Sequence, residues 1–479
     1  MKVHRTSKFA RSALVAVALL LGTLALGAVA RQAPSGVAHT GSGRPLSFSA
    51  PSGGPVSFRG QLDTGAVLQG GDGMVRIELL LRGERAQAFE PALRPTDLVV
   101  ILDRSGSMRG AKMADARAAI RELLGTLGPR DRFALVTYST AAGLALPLGA
   151  ADASRRETWL AALARIVPEG GTNLASGLDL ALDVVDRNRS ADREPRVVVI
   201  SDGLVNQGDT TVSGLRARAG RAAAGEYVLS TVGVGDDFDA PLLAALADAG
   251  TGNYYYLADG RALASVFSDE FLSARETVAR GLHVRIRPGD GVAVLDAAGY
   301  PLERHGGLVS FRPGALFAGQ ERRIWVTLRA PSRAPGETEL GHFALAYSAG
   351  GERHEIAFGE NPSVACVADR DAFLAAVDAT AWERGVAVEG YNAMRQRVAE
   401  SVQAGDRDGA LDEIRRYRQR ALDYGIPSAR VSAQVEEAER LGATVEEVFA
   451  APEPARERNA FSKTLSEGAR DARRTGGKR

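Results

Sequence analysis

Eleven residues constrain the fold of this chain most: Leu98-Val99-Val100-Ile101-Leu102-Asp103-Arg104-Ser105-Gly106-Ser107-Met108. The unbroken apolar run predicts a strand buried on both faces, as in a parallel sheet covered by helices. It stops at Asp, Ser, Gly and Ser. Beyond Gly110, Met113, Ile120, Leu123, Leu124 and Leu127 fall on one helical face. The order is therefore strand, oxygen-rich loop, helix, and ligands of open α/β sheets bind at that edge, outside the carboxyl ends of the strands. The spacing Asp103-x-Ser105-x-Ser107 offers one carboxylate and two neutral hydroxyls within a single turn. Such oxygens suit a hard cation. Neutral hydroxyls hold an ion without cancelling its charge, so it can still attract a carboxylate from outside. A Ser/Gly loop ending in a helix N-cap uses the same residue types, so this loop alone does not decide the matter.

Two further stretches add context. Gly170-Gly171-Thr172-Asn173 precedes a helical pattern, and Val197-Val198-Val199-Ile200-Ser201-Asp202-Gly203 repeats the design of a buried strand running into Asp. With these pieces in this order, about residues 95–276 resemble the von Willebrand factor type A domain family. Thr231-Val232-Gly233-Val234-Gly235-Asp236-Asp237-Phe238-Asp239 and Gly252-Asn253-Tyr254-Tyr255-Tyr256 look like its bacterial members. The resemblance implies a metal-ion-dependent adhesion site formed by Asp103, Ser105, Ser107, Thr172 and Asp202, with no ligand position departing from the pattern. It implies Mg²⁺, with Mn²⁺ and Ca²⁺ as alternatives, and an external ligand that is a Glu or Asp of a protein partner. It also implies that partner binding shifts the last helix of the domain, here Ala262–Ala274.

The 479 residues allow two or three domains with real cores. Lys and Arg total 59 against 58 Asp and Glu, so no global field points to nucleic acid. Cys366 is the only cysteine, which rules out an internal disulfide and reads as a small buried apolar side chain. Lys2, Arg5, Lys8 and Arg11 precede the apolar run Ser12–Ala30, which ends Ala28-Val29-Ala30. Residues 1–30 therefore read as a secretory signal peptide, or as an uncleaved N-terminal anchor, since the run approaches the ~20 residues of a membrane span. Either way the remainder is exported: to the periplasm, to the cell surface, as a secreted protein, or anchored in the membrane.

The expected organisation follows the composition. Residues 31–60 are rich in Gly, Pro and Ser and read as a flexible linker. Residues 61–94 hold strands, among them Val75-Arg76-Ile77-Glu78-Leu79, that can join a later sandwich. Residues 95–276 alternate strands and helices, predicting a doubly wound α/β domain. Alternating strands over 280–362, from Leu282/Val284/Ile286 to Ile356/Phe358, predict a β-sandwich. Residues 368–450 predict helices over Phe373–Trp382, Tyr391–Val402, Gly409–Tyr424 and Ser428–Leu441. The polar stretch 451–479, closing on Arg473-Arg474 and Lys478-Arg479, predicts a disordered basic tail.

Enzyme chemistry finds little footing. No G-x-x-x-x-G-K-[ST] occurs. His4, His39, His283, His305, His342 and His354 all lie outside the α/β domain, so Ser105 and Ser107 have no local base, and the later histidines lack zinc spacing. Asp239 before Ala240-Pro241 predicts a helix N-cap rather than a second metal ligand, while Asp115 and Asp131 predict solvated charges. Tyr254-Tyr255-Tyr256 predicts strand and core. The expectation is an exported bacterial, non-enzymatic, metal-dependent protein-binding module. The alternatives are an envelope scaffold acting through its helical region around a structural ion and, less favoured, a hydrolase- or chelatase-type accessory subunit.

Overall fold

The run that ends in Asp103 forms β1 (Thr96–Asp103), a strand buried at every residue. The computed structural model describes residues 45–475 apart from 52, 85–93, 191, 236–237, 258–259, 276, 424–425 and 427. The export segment, the start of the linker, Asp236, Asp237 and Lys478-Arg479 lie outside the described residues. Five more strands share the sheet of β1: β2 (Arg132–Tyr138), β3 (Ala142–Ala150), β4 (Glu194–Ser201), β5 (Val228–Val234) and β6 (Thr251–Leu257). Their order is β6-β5-β4-β1-β2-β3, parallel except for β3, which runs antiparallel to β2.

Six helices cover this sheet: α1 (Ala111–Thr126), α2 (Ala153–Ala164), α3 (Leu174–Arg187), α4 (Val212–Ala224), α5 (Ala240–Ala249) and α6 (Leu263–Arg275). Successive strand side chains point to opposite faces. Leu98, Val100 and Leu102 therefore pack with Met113, Ile120, Trp159 and Phe267 of α1, α2 and α6. Val99 and Ile101 pack on the other face with Leu178, Leu182, Leu215 and Leu246 of α3, α4 and α5. The doubly wound α/β reading of the sequence is the observed fold. From β1 the chain winds toward β2, and from β4 toward β5. The edge between β1 and β4 is thus the switch point where such sheets open a crevice.

A β-sandwich is built from both sides of this insertion. Val56–Leu62 pairs with Met74–Gly83, which pairs antiparallel along its length with Glu321–Arg329. Ser47–Ser49 and Ala293–Ala297 complete that sheet, and the facing one is Glu303–His305, Leu308–Phe317, Thr277–Pro288, Gly341–Ala349 and Glu352–Ala357. Phe58, Leu79, Leu282, Val284, Ile324, Phe343 and Phe358 meet in one core. The linker expected over 31–60 is corrected here. Phe48, Val56 and Phe58 are buried, and short strands with one apolar face need no more than that. Cys366 is buried on Ser363–Val367, in a small third sheet with Gly336–Glu339 and Ala66–Leu68.

The C-terminal helices are α7 (Arg370–Ala375), α8 (Ala379–Arg384), α9 (Tyr391–Gln403), α10 (Arg407–Asp423), α11 (Ala429–Ala450) and α12 (Pro454–Thr475). The single helix expected over Phe373–Trp382 is two, because Asp378 caps a new start by accepting from the N–H groups of Thr380 and Ala381. The disordered tail is corrected as well: 454–475 is a helix with buried Leu465 and Ala469. It docks on the α/β domain, where Glu467 accepts the Tyr256 N–H of edge strand β6 at 3.0 Å. Lys463 Nζ sits 3.9 Å from the centre of the Phe238 ring. Among the described residues no helix is long and apolar enough to cross a membrane.

Candidate metal centre

Asp103 is the last residue of β1 and has no exposed surface. Its Oδ1 accepts the Ser105 N–H at 2.7 Å and its Oδ2 the Ser201 hydroxyl at 3.1 Å, so the carboxylate is fixed from both sides. The chain then makes one 3₁₀ turn, Gly106–Met108, pinned by buried Met108, before α1 begins. In that turn the Ser105 and Ser107 hydroxyls lie 3.0 Å apart. Ser107 Oγ donates to Asp202 Oδ1 at 2.7 Å. Asp202, just past β4, also has no exposed surface. Gly203 permits this approach, since a Cβ there would lie 3.2 Å from Ser107 Oγ.

Thr172 comes from a third loop and is buried. Its carbonyl accepts from the N–H groups of Asn206 and Gln207 at 3.1 and 3.3 Å, and its own N–H donates to Asn206 Oδ1 at 2.9 Å. The Gly106 N–H donates to the Gly170 carbonyl at 3.2 Å, with Gly170 at a φ of +74°. The loops carrying Asp103, Thr172 and Asp202 are thus bonded to one another at the switch point.

The electrostatics favour a cation. Burial pushes the Asp103 carboxyl up, and the Asp202 charge adds to this against the bonds from Ser105. Burial and the Asp103 charge push the Tyr138 phenol up as well. Two buried carboxylates beside neutral hydroxyls form an all-oxygen donor set, which fits Mg²⁺, Mn²⁺ or Ca²⁺ and not a soft metal.

Residues 97–269 match the model of the von Willebrand factor type A domain. They form a von Willebrand A domain. The chain is 28% identical over 162 residues to human inter-alpha-trypsin inhibitor heavy chain H4, covering 32% of this chain and 17% of that protein. Over 336 residues it is 23% identical to an uncharacterized Synechocystis protein, covering 66% and 76% of the two. The chain spans only about a fifth of the length of the heavy chains it matches. A solved von Willebrand factor type A structure from Catenulispora acidiphila superposes with a TM-score of 0.64 at 19% identity, over 86% of this chain and 96% of that one. That coverage extends the shared fold beyond the A domain.

The A domain also holds residues that sequence reading passed over. Lys112, in the first turn of α1, places its Nζ 2.7 Å from Asp202 Oδ2. Its only sequence signal is its place beside the apolar Met113. Ser201 directly precedes Asp202 and has adjacency as its signal; Asn206 and Tyr138 have none. Asp131 is corrected: it is buried and caps the N–H groups of Thr96 and Gly128 at 2.8 Å each. Asp239 is the N-cap of α5, accepting the Leu242 N–H at 3.0 Å. Tyr254–Tyr256 lie in β6, half-buried, and the Tyr255 hydroxyl donates to buried Glu270 of α6 at 2.8 Å.

Proposed function

We propose that this chain is an exported, non-enzymatic protein-binding module whose A domain captures a partner through a divalent cation. The ion, Mg²⁺ or a similar hard cation, would offer a coordination position to an Asp or Glu of the partner. Asp103 and Asp202 supply the negative charge, the Ser105 and Ser107 hydroxyls bind without neutralising, and Thr172 brings an oxygen from a separate loop. The observation that carries this reading is the meeting of two fully buried carboxylates across paired serine hydroxyls at the sheet's switch point. The basic and apolar composition of Lys2 to Ala30 supports the export part of this reading. The absence of His and Cys from residues 95–276 supports a binding rather than a catalytic role.

The test is capture of partners from an envelope extract by the full chain, in Mg²⁺ and in EDTA, beside Asp103→Ala. Capture should need both the ion and the carboxylate, while the circular dichroism of the variant stays that of the parent. Equal capture in excess chelator refutes the reading.

A further inference from the structure

The charge balance around Asp202 carries a consequence for how the ion enters. Both of its carboxylate oxygens are engaged: Oδ1 by the Ser107 hydroxyl and Oδ2 by the Lys112 ammonium, each at 2.7 Å. Asp202 has no exposed side-chain surface, whereas the Lys112 side chain keeps 27% of its own. The lysine thus reaches from the first turn of α1 to a buried anion without being buried itself. Gly235, at a φ of +79°, leaves room for it, since a Cβ there would sit 3.3 Å from Lys112 Cε and 3.4 Å from its Nζ. An ammonium at hydrogen-bond distance from a buried carboxylate supplies part of the charge that a divalent ion would supply. Nearby like charges repel strongly where water is scarce.

We propose that Lys112 is a tethered competitor for the cation: its ammonium and the ion hold Asp202 in alternation, and its release into solvent accompanies binding. The lysine keeps the two buried carboxylates from facing each other uncompensated and sets the cation concentration at which the site loads. This rests on the metal-dependent reading above, and it assigns that site a built-in threshold.

The test is calorimetric titration of Mn²⁺ into the full chain and into Lys112→Met, Lys112→Arg and Asp103→Ala, with circular dichroism to verify folding. Lys112→Met should bind about tenfold more tightly or better, because the competing charge is gone. In EDTA it should unfold at a lower temperature than the parent. Lys112→Arg, which keeps the charge, should stay near the parent. Equal or weaker binding by Lys112→Met overturns the proposal, as does an arginine variant that behaves like the methionine one. If Asp103→Ala binds as well as the parent, the ion sits elsewhere and the metal-site reading itself fails. If no protein binds Mn²⁺, both fail together.

Discussion

Asp103 holds its position through two neighbours, one in the loop that follows it and one at the end of the adjacent strand β4. The Ser105 N–H fixes one oxygen and the Ser201 hydroxyl the other. Ser201→Ala removes the second donor from a buried carboxylate, at a cost of about 1–3 kcal/mol; chemical denaturation measures it, and cation affinity should fall in parallel. Gly170→Ala should cost about 1–2 kcal/mol from its left-handed backbone alone. Its Cβ would also lie 2.7 Å from Thr140 Oγ1, displacing the loop that carries Thr172. Thermal melts with and without Mg²⁺ separate the stability loss from the loss of binding. At this scale the carboxylates and hydroxyls were legible, because D-x-S-x-S and the two later loops place oxygen donors at strand ends. Lys112 was not, because helical periodicity weighs only its apolar neighbour Met113, and an ammonium reaching toward an acid 90 residues away leaves no local pattern.

Among the elements, β1 was the most legible and α12 the least. An apolar run buried on both faces has few alternatives in a chain that alternates strands and helices. The C-terminal stretch instead hides its contacts in a polar composition. Leu465 and Ala469 are buried at an i, i+4 spacing that Arg and Glu residues surround. Its role is to cover an edge. β6 is one of the two outer strands of the A-domain sheet, and Glu467 accepts its Tyr256 N–H. An uncovered edge strand is a site for unwanted pairing. Glu467→Ala should therefore destabilise the chain by about 1.5–3 kcal/mol, the range for a hydrogen bond to a charged group. Amide exchange at Tyr256 should accelerate while amides in β1 keep their protection. Unchanged exchange at Tyr256 would show that α12 does not guard this edge.

At the scale of the whole molecule, the A domain is an insertion into the sandwich and is bonded to it. The Ser348 hydroxyl donates to Glu226 at 2.9 Å, and Arg280 Nε lies 3.6 Å from Glu194. The alternating pattern of each sandwich strand was legible. The pairing of Met74–Gly83 with Glu321–Arg329 has no local signal, because pairing across a whole inserted domain is a matter of tertiary register, not of local period. The sandwich also brings a pH dependence. Burial first, then Arg312 and Arg285, push the His283 imidazole down to about 4 from an ordinary 6.5, against the pull of Glu303. Between those values the unfolded chain takes up a proton that the folded one refuses, so stability falls as pH falls from about 6.5 to about 4. Melting temperatures of the parent and His283→Phe should diverge over that window, the parent losing more. Parallel curves would count against a half-buried neutral imidazole.

The central claim is that side chains from three loops at the sheet's switch point hold a cation with one side open to a partner. A crystal of the full chain grown with Mn²⁺ tests it most directly, through anomalous scattering at the metal's absorption edge. One peak is predicted within coordination distance of the Ser105 and Ser107 hydroxyls, beside Asp103 and Asp202, with a water-filled position facing solvent. No peak there, or an ion enclosed on every side by protein, would contradict the account.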